Sequence, residues 1–534
     1  MPEGPIKAII TPIFKSDDKS DPANYRPVSL TNHLTKIFER VLRKHLVEHL
    51  ESQDLMNSSQ HGFRDKHSTI SQLLAYYDSI LSMMEEGHYV HSVYLDFAKA
   101  FDKVDHNILL QKIKGCGIQG KILEWLTTFL RTRTQQVRVG AHLSKEVRVK
   151  SGVPQGSVLG PLLFLIYMID ITDGLEGIET GSFADDTKNW QTTTFTFFQR
   201  ELDKMYQWAR DNNSVFNGKK FVKITYGNPD DNTVLLTPEG QPISCKKHVK
   251  DLGVYMSADT TFDYHINNVI KGAQKMSAWV LRTFKTRQVG PMLTLLKSLV
   301  RSKAEYASIL WSPTDSKNIQ KLEGIQRRFT EKIGIFRKFN ERTGLTECKT
   351  DYAERLRRLK LYSLQRRRER YMICYMYQLH LGIVPDLGFL SDTGRNGPKY
   401  FAKFNNGASE EVQSVRYSSF FTQGPVLFNL LPADFRTIEK RPDTKEEAKK
   451  MKESFKKKLD KWLELVPDIP VTGNPNRKSA DLNALECRMR QHGKEVNRQW
   501  TIVRRRIEAE EARNTACGNI NGDRDNNTCA DNQV

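Results

Sequence analysis

The stretch Ser182-Phe183-Ala184-Asp185-Asp186-Thr187 places two adjacent carboxylates between a short apolar approach and a polar exit. Because Asp disfavours strands and favours turns, this pattern predicts the tip of a β-hairpin that presents its charges. Two neighbouring carboxylates repel each other, and each raises the pKa of the other unless a cation neutralises them. Oxygen ligands of this kind suit divalent ions, so the stretch indicates a metal site, while a solvated Asp-Asp turn remains open as the alternative.

A second carboxylate follows a strand upstream. In Val93-Tyr94-Leu95-Asp96 the apolar and polar residues alternate as in a half-buried strand, and Asp96 stands where the alternation ends. Asp96 is therefore expected to face Asp185. Two further acids, Asp102 and Asp105, are interpreted as surface or helix N-terminal residues rather than metal ligands, because a helix start favours acids on electrostatic grounds alone.

Between the two carboxylate sites lies a segment rich in glycine and proline, Ser151-Gly152-Val153-Pro154-Gln155-Gly156-Ser157-Val158-Leu159-Gly160-Pro161. Its glycines allow the backbone to approach a flat ligand closely, and Pro161 suits the first turn of a helix. The apolar run that follows, Pro161–Ile169, is far shorter than the ~18 residues of a membrane-spanning helix. It predicts a buried core helix, and no membrane partner is expected.

These three stretches, in this order, resemble motifs A, B and C of reverse transcriptases, and the match is closest to the enzymes of non-LTR retrotransposons of the jockey type. Further stretches extend the resemblance over about residues 6 to 390. They are Asn24–Thr31, Gln60–Arg64, Leu252–Val254, His265–Ile266, Glu305–Ala307 and Trp311–Pro313. The resemblance implies an RNA-directed DNA polymerase that extends a primer 3′-hydroxyl with dNTPs on an RNA template.

The resemblance also implies an α+β fold in the form of a right hand, with a reverse transcriptase domain over about residues 6–260. Fingers are expected over residues 1–90, a palm with an antiparallel sheet and part of the fingers over 91–260, and a helical thumb over 261–345. A basic, mostly helical region is expected over 346–466. The last residues, 467–534, are polar, which predicts a largely disordered tail.

By the same resemblance, Asp96, Asp185 and Asp186 would hold two magnesium ions ~3.5 to 4 Å apart, with manganese as an alternative. Asp185 ranks above Asp186, because the first Asp of motif C is the more consistent ligand in the family. Phe97 would add a backbone carbonyl beside the metal. Lys220 matches the motif D lysine that helps to protonate the departing pyrophosphate, with Lys219 as a competitor and an ordinary exposed lysine as the alternative.

Five residues would contact the nucleotide or the template in such an enzyme. Phe101 matches the aromatic position that stacks under the sugar and excludes a ribose 2′-hydroxyl, while a buried core phenylalanine is the alternative. Gln155 would lie along the incoming nucleotide, and Gly156 would let backbone come near it. Arg26 and Arg64 would lie in the fingers, where a guanidinium can grip phosphate oxygens bidentately, and two ordinary surface arginines are the alternative.

The charge balance predicts a polyanionic partner. Lys and Arg number 82 against 63 Asp and Glu, which gives a net charge of +19. With the resemblance, the expected partners are the RNA template, the DNA primer and the RNA–DNA duplex. The basic stretch Tyr352–Tyr371 is expected to contact the nucleic-acid backbone rather than to form a merely solvated helix.

The remaining sequence features concern zinc and disulfide sites, cellular location and the endonuclease function. No Cys-x-x-Cys pair occurs, which argues against a zinc site and a disulfide framework. The start of the sequence shows no secretory signal, so an intracellular location, in the nucleus or the cytoplasm, is expected. Family members carry an endonuclease domain before the polymerase, and this sequence begins almost at the first finger motif, so endonuclease function is expected to lie outside this chain.

The principal alternative function is a relic or recruited protein that binds nucleic acid without polymerising. Gly181 and Asn189 flank the hairpin as weak strand formers, which could reflect decay or tolerance. A metal-dependent nuclease would explain the carboxylates but leaves Gln155 and Phe101 without a purpose.

Overall fold

A computed structural model describes residues 7–15, 17–192, 194–228, 231, 233–341, 345–392, 398–403, 407–470 and 482–522. The chain divides into two units, the first formed by residues 1–261 with 407–412 and the second by 262–406 with 413–534.

The first unit contains strands and helices in alternation. Its strands are β1 (Lys7–Phe14), β2 (Tyr25–Leu30), β3 (Val90–Leu95), β4 (Thr134–Val139), β5 (His142–Leu143), β6 (Val147–Arg148), β7 (Glu179–Phe183), β8 (Asp186–Gln191), β9 (Val222–Tyr226), β10 (Ser244–Cys245), β11 (His248–Asp251) and β12 (Val254–Ser257). Its helices are α1 (His33–Ser52), α2 (Thr69–Glu85), α3 (His106–Gly115), α4 (Gly120–Arg131), α5 (Gly160–Tyr167) and α6 (Phe195–Asp211).

The central sheet has the strand order β10-β9-β3-β8-β7, with β3 antiparallel to both β8 and β9. Leu95 at the end of β3 pairs with Thr187 near the start of β8. This register brings Asp96, the residue after β3, to the same end of the sheet as Asp186. A second sheet, in the order β2-β1-β4-β5 with β6 beside β4, is formed by the first two strands and the strands around residue 140.

The core of the first unit is built around α5. The apolar run predicted as a buried helix is confirmed, since Leu163 and Ile166 are fully buried and Phe164 is 1% exposed. Val93 and Leu95, the apolar residues of β3, belong to the same hydrophobic cluster. One side of the central sheet is therefore anchored to an apolar helix, and the strand end that carries Asp96 is fixed by this packing.

Helix α1 is capped by Asn32 and buries only one of its apolar faces. The Asn32 side-chain oxygen accepts a hydrogen bond of 3.0 Å from the Leu34 backbone N–H. Leu42 and Leu46 lie in the core, whereas the apolar residues of a second face are exposed. Those exposed residues are Leu34, Ile37 and Val41.

Close packing explains the two weak strand formers beside the hairpin. A Cβ at Gly181 would lie 2.6 Å from the Gln72 side-chain nitrogen and 3.1 Å from the Trp190 ring, so a larger residue does not fit there. The Asn189 side chain donates a hydrogen bond of 2.9 Å across the hairpin to the Thr180 hydroxyl. Neither residue requires sequence decay as its explanation.

The second unit is mainly helical. Its helices are α7 (Asp263–Thr283), α8 (Val289–Leu295), which continues through a π-helical segment (Leu296–Arg301) into α9 (Ser302–Glu305), then α10 (Ser308–Trp311), α11 (Ser316–Thr330), α12 (Tyr352–Leu359), α13 (Leu364–His380), α14 (Glu410–Ser418), α15 (Phe420–Asn429), α16 (Ala433–Arg436), α17 (Lys445–Leu463) and α18 (Leu485–Gly522). Two short hairpins complete it, β13 (Arg337–Asn340) with β14 (Leu345–Cys348) and β15 (Ser391–Asp392) with β16 (Lys399–Tyr400).

The basic stretch of α13 does not present its arginines as expected for a nucleic-acid contact. Arg366 and Arg368 are buried, Arg367 binds both carboxylate oxygens of Glu305, and Arg370 binds Asp460 at 2.5 and 2.8 Å. A guanidinium that is buried or already bound by a carboxylate has few N–H groups left to donate to a phosphate. The expectation that these arginines grip a nucleic-acid backbone is therefore wrong for the arginines of α13.

The last part of the chain also departs from the prediction of a largely disordered tail. The 38-residue helix α18 spans Leu485–Gly522 within the stretch predicted to be disordered. Helix elongation adds one backbone hydrogen bond for each residue fixed, so a helix that starts well can continue through a polar sequence. Residues 471–481 and 523–534 of that stretch lie outside the described residues. Among the described helices, none is long and apolar enough to span a membrane.

The buried ion pairs of the second unit lead to a stability prediction. Glu305 is contacted by Arg367, by Arg301 at 3.4 Å and by the Tyr371 hydroxyl at 2.9 Å. Burial alone would raise the pKa of Glu305, but the two arginines hold it below its usual value. Glu305→Ala leaves two guanidinium groups without their carboxylate, so we expect the free energy of unfolding to fall by ~3–5 kcal/mol in urea titrations.

The matched control is Glu354→Ala, which removes a glutamate that pairs with Arg357 and Arg358 on the surface of α12. Because solvent screens surface pairs, the urea midpoint should stay close to that of the parent chain. An equal loss in both variants would contradict the assignment of a structural ion network to Glu305.

Candidate active site

The two aspartates of the opening stretch lie at a tight hairpin turn, as predicted. Phe183 pairs with Asp186, so Ala184 and Asp185 form a two-residue loop between β7 and β8. Ala184 has a φ of +60°, a value that glycine adopts easily and alanine rarely. A positive φ at the first loop residue alone is the pattern of a type II′ turn. Asp185 thus stands at the turn and Asp186 opens β8.

Asp96 lies one residue beyond β3, and its side chain is 33% exposed. The Lys220 ammonium contacts its carboxylate at 3.0 Å, and the Asn217 N–H donates a hydrogen bond of 2.8 Å to its backbone carbonyl. Of the two lysines weighed from the sequence, Lys220 is the one that reaches this carboxylate. The structure therefore brings Lys220 to the site, while its role in proton transfer stays a prediction.

The three carboxylates influence one another electrostatically. Burial and then the charge of Asp96 raise the pKa of Asp185, against the opposing effect of Arg26 and Lys15. Crowding by protein atoms, followed by the charges of Asp185, Asp251 and Asp96, raises the pKa of Asp186 to about 6. This end of the sheet carries more negative charge than its own cations neutralise.

The donor set fits a divalent cation by its chemistry. Carboxylate oxygens are the ligands that Mg²⁺ prefers, and the raised pKa values of Asp185 and Asp186 indicate uncompensated negative charge. The side chains are not gathered into a finished ligand shell: within the described part of the chain, no three His, Cys, Asp or Glu residues stand close enough together to hold an ion. Asp96 is instead neutralised by Lys220.

Phe97 is held by a neighbouring segment rather than exposed at the site. Its ring is 6% exposed and stacks on Phe216 with the centroids 4.3 Å apart. The backbone bridge between these two residues is made by their neighbours, since the Ala98 N–H donates to the Val215 carbonyl. The backbone groups of Phe97 are therefore not used in this bridge. The predicted use of its carbonyl stays a prediction.

Phe101 combines both of the environments weighed from the sequence. Its ring stacks on Phe164 of α5, with the centroids 4.5 Å apart and the planes 13° apart, and it meets Phe63 edge to face at 6.3 Å. Phe101 is nevertheless only partly buried. One face of the ring thus belongs to the core, and the choice between sugar contact and core packing stays open.

The motif B glutamine is anchored by an acid that was taken for a surface residue. The Gln155 side-chain amide donates a hydrogen bond of 2.9 Å to Asp102, whose pKa is raised by burial. Asp102 is thus a partly buried partner of Gln155, and its interpretation as a surface acid is wrong. Asp105, in contrast, caps α3, accepting hydrogen bonds from the Asn107 and Ile108 N–H groups, as predicted.

The close approach at Gly156 is to the protein's own backbone. Gly156 has a φ of +117°, and a Cβ there would lie 2.7 Å from the carbonyl oxygen of Ser29 in β2. The Ser29 N–H in turn donates a hydrogen bond of 2.7 Å to the Gln155 carbonyl. The missing side chain of Gly156 therefore lets the backbone of β2 pack against it. In this structure β2 occupies the side of Gly156 where a nucleotide was predicted to approach.

The two predicted phosphate-binding arginines are placed differently. Arg26 lies exposed in β2, and its charge lowers the pKa of Asp185, so it lies within electrostatic range of the turn that carries Asp185. The Arg64 side chain is 11% exposed and bound to Glu51 at 2.9 and 3.2 Å and to the Asn57 carbonyl at 2.8 Å. The Arg64 guanidinium is thus already held by Glu51 and Asn57, and its predicted phosphate contact stays a prediction.

Residues 15–256 match the family model described as reverse transcriptase (RNA-dependent DNA polymerase). This range contains all of the candidate-site side chains named in this subsection. A reverse transcriptase domain is therefore identified over residues 15–256 of the chain. The predicted α+β fold of the right-hand polymerase class is confirmed with it.

Two proteins from Drosophila melanogaster are similar to this chain. The probable RNA-directed DNA polymerase from transposon X-element is 28% identical over 338 residues, which cover 61% of this chain and 37% of that protein. The RNA-directed DNA polymerase from mobile element jockey is 28% identical over 329 residues, which cover 59% of this chain and 36% of that protein. The predicted kinship with jockey-type non-LTR elements is confirmed, and the chain spans little more than a third of the length of these relatives.

Among solved structures, the apo telomerase from Candida Tropicalis aligns with a TM-score of 0.40 and 13% identity, covering 62% of this chain and 59% of that chain. Telomerase from Candida albicans in complex with a fragment of telomeric RNA aligns with a TM-score of 0.39 and 12% identity, covering 61% of this chain and 62% of that one.

Sequence reasoning missed a buried lysine in β8, two residues after Asp186. Lys188 of β8 pairs with Asp251 at the end of β11, donates a hydrogen bond of 2.9 Å to the Gln72 side chain and lies 3.9 Å from the centre of the Tyr76 ring. Burial lowers the pKa of Lys188, although Asp251 opposes the shift. This group lines a cleft of about 200 Å³ together with Asp96, Asp186 and Lys220.

Sequence reasoning also missed Glu39, a fully buried residue of α1. Its carboxylate accepts hydrogen bonds of 2.7 and 2.9 Å from the N–H groups of Val158 and Leu159, directly before α5. It thus caps that helix from a distance of more than a hundred residues in the chain. No local signal marks either Glu39 or Lys188, because their partners are remote in sequence.

The raised pKa of Asp186 leads to a pH-dependent prediction. With a pKa of about 6 against an ordinary 3.8, the folded state holds the proton more tightly than the unfolded state, so this group destabilises the fold as the pH rises from about 4 to 6. In buffer with a chelator, Asp186→Asn should raise the free energy of unfolding at pH 7.5 by roughly 1 kcal/mol, after allowance for solvent screening.

At pH 4 the gain should vanish, because the parent carboxyl is then protonated as well. Asp211→Asn, which neutralises an exposed aspartate at the end of α6, serves as the control and should show no such pH dependence. A stability difference that is the same at both pH values would contradict the electrostatic account of Asp186.

Proposed function

We propose that this chain is an RNA-directed DNA polymerase that extends a primer 3′-hydroxyl with dNTPs on an RNA template. The observation that chiefly supports the proposal is the convergence of Asp96, Asp185 and Asp186 at one end of the central sheet, inside a domain of the reverse transcriptase family. The names of the relatives, which describe RNA-directed DNA polymerases of mobile elements, point the same way.

Asp96, Asp185 and Asp186 are the residues that would hold the divalent cations of the family, which we take to be two Mg²⁺ ions with Mn²⁺ as a substitute. When bound, such ions lower the pKa of an attacking hydroxyl and neutralise charge on the leaving group. The uncompensated charge at Asp186, with its pKa of about 6, supports a cation-binding role.

Lys220 is proposed to deliver a proton to the departing pyrophosphate. Its ammonium contacts Asp96 at 3.0 Å and its side chain is 55% exposed, so it can change partner with little loss of packing. While no cation is bound, the same contact neutralises Asp96. Lys220 thus has one role in the resting site and a second one during transfer.

The nucleotide is proposed to lie between the turn and the motif B segment. Gln155 is fixed by Asp102 and is proposed to orient along the incoming nucleotide, with Phe101 beneath its sugar. Arg26 and Lys15, whose charges lower the pKa of Asp185, are the cations placed to attract a triphosphate. Residues up to about 260 would supply the fingers and the palm. The helices after residue 260 would supply the thumb.

The proposed partners are an RNA template and a DNA primer, held as a duplex. The net charge of +19 supports a polyanionic partner. Template sequence would be read by base pairing, so the protein need recognise only backbone and duplex shape. Such substrates place the proposed activity inside the cell, in the nucleus or the cytoplasm.

The decisive experiment is primer extension on an RNA template, with magnesium and with a chelator. Asp96→Ala and Asp185→Ala should each reduce extension by at least ~100-fold, which corresponds to ~2.7 kcal/mol of transition-state stabilisation. Duplex binding, measured by fluorescence anisotropy, should change by less than about threefold, because the carboxylates are not phosphate contacts.

Asp211→Ala, which removes a surface carboxylate at the end of α6, is the matched control and should extend primers at the parent rate. Full activity in either active-site variant would refute the assignment. A parent chain that binds the duplex but never extends it would support the recruited binding protein instead.

Phe101 gives a second test, on the choice of sugar. If its ring blocks a 2′-hydroxyl, Phe101→Val should raise the efficiency of ribonucleotide incorporation relative to dNTPs at least tenfold, which corresponds to ~1.4 kcal/mol. If the ring only packs on Phe164, the variant should lower both efficiencies together and cost ~1–4 kcal/mol of stability.

Single-nucleotide kinetics with matched dNTP and rNTP, run beside thermal melts, separate the two results. Phe129→Val removes a buried ring of α4 away from the carboxylates, so it should lower stability without changing the ratio. An unchanged ratio in Phe101→Val would remove Phe101 from the site.

A further inference from the structure

The segment before α2 runs directly alongside the catalytic hairpin. The Ser182 N–H donates a hydrogen bond of 2.9 Å to the Ser59 carbonyl, and the His61 N–H donates one of 2.9 Å to the Ser182 carbonyl. Gln60, between them, forms a parallel bridge with Ser182. The stretch that sequence comparison singled out as Gln60–Arg64 thus extends the central sheet by one short pairing at β7.

The Gln60 side chain reaches past this pairing and holds both backbone groups of Ala184. Its carbonyl oxygen accepts a hydrogen bond of 2.8 Å from the Ala184 N–H, and its amide nitrogen donates one of 3.1 Å to the Ala184 carbonyl. The same oxygen accepts a third hydrogen bond of 2.8 Å from the Gly62 N–H. Gln60 and Ala184 are each 6% exposed, so water does not substitute for these bonds.

The approach of the two segments is so close that it admits only glycine at position 62. A Cβ on Gly62 would lie 2.3 Å from the Ala184 nitrogen and 3.0 Å from the backbone of Phe183. Contacts below 3.0 Å from a Cβ to backbone cannot be relieved without moving the chain. The contacts with the turn therefore explain why Gln stands at position 60 and Gly at position 62.

Ala184, the residue that Gln60 binds, has a strained backbone conformation. Ala184 adopts a φ of +60°, in the left-handed region that side-chain-bearing residues rarely occupy. The Ala184 carbonyl belongs to the peptide plane that leads into Asp185, and the Ala184 N–H belongs to the plane before it. A partner that binds both groups fixes both planes, and with them the direction in which the Asp185 side chain leaves the backbone.

We propose that Gln60 is a positioning residue of the active site, which holds Ala184 in its left-handed conformation and thereby orients Asp185. The inference rests on the proposed function because it takes Asp185 as a cation ligand. The effect of Gln60 on the conformation of the turn does not depend on that function. A glutamate at position 60 could accept from the two N–H groups but could not donate to the Ala184 carbonyl. An asparagine would be one methylene too short.

The test uses Gln60→Met in the full chain, because methionine keeps the length and burial of the side chain and removes all three hydrogen bonds. Hydrogen exchange of the peptide that carries residues 183–187 should accelerate about tenfold or more, since the turn opens more often. The dissociation constant for Mn²⁺, followed by electron paramagnetic resonance, should rise about tenfold, and the kcat of extension should fall more than the KM for dNTP changes.

A second substitution distinguishes positioning from packing. Glycine adopts a φ of +60° without strain, so Ala184→Gly in the Gln60→Met background should recover at least threefold of the lost Mn²⁺ affinity and extension rate. Gln326→Met is the control for losing a buried glutamine, since Gln326 makes hydrogen bonds of 3.1 and 3.0 Å to Tyr352 and Tyr362 far along the chain. It should lower the melting temperature and leave exchange at residues 183–187 unchanged.

The outcomes separate the grip from the proposed activity. Unchanged exchange of residues 183–187 in Gln60→Met, or no recovery with Ala184→Gly, overturns the proposal even if the parent extends primers. Faster exchange and weaker Mn²⁺ binding in a chain that never extends a primer would uphold the grip and refute the polymerase. Faster exchange with unaltered Mn²⁺ affinity and extension would reduce Gln60 to a structural residue and overturn its positioning role.

Discussion

Mutual repulsion among Asp96, Asp185 and Asp186 is the constraint on which the first unit depends. The register of β3 and β8 brings two of them to the same sheet end, and the tight turn adds the third. Gathering like charges costs free energy, and two lysines reduce this cost: Lys220 contacts Asp96, and Lys188 lies two residues after Asp186 in β8. Lys188 is itself neutralised by a buried acid, which leaves the cluster short of positive charge and receptive to a cation.

The two units handle charge in opposite ways. The first concentrates unbalanced negative charge at one sheet end, whereas the second pairs acids with arginines, as in the largely buried Glu305 with Arg367 and the partly exposed Asp460 with Arg370. Such pairs add little net stability, and they withdraw positive charge from the surface. The exposed part of the net charge of +19 therefore lies on other residues, such as the exposed lysines of α17.

The spacing of apolar and polar residues correctly predicted those elements whose structure depends on neighbouring residues. The strand before Asp96, the hairpin turn at Asp185 and the buried helix that begins near Pro161 follow from alternation, turn residues and an apolar run, and each is confirmed. Side-chain partners were predicted poorly, because charge in a sequence does not reveal what lies opposite it after folding. Arg64 was expected at a phosphate and binds Glu51, and Asp102 was expected in solvent and binds Gln155, 53 residues away. The resemblance to reverse transcriptases identified the candidate metal ligands. The side chains that position those ligands were found only in the structure.

The hydrogen bonds between Gln60 and Ala184 join residues 124 positions apart, which makes the order of folding part of how this site arises. The two carboxylates of the turn cannot take up their final arrangement until a loop of more than a hundred residues has closed, and such closure is slow compared with the formation of helices. During synthesis the glutamine leaves the ribosome well before the aspartates do. The helices, whose hydrogen bonds are local, can therefore form before the turn is fixed, whereas the Asp185 side chain takes its final direction only after this long-range contact is made.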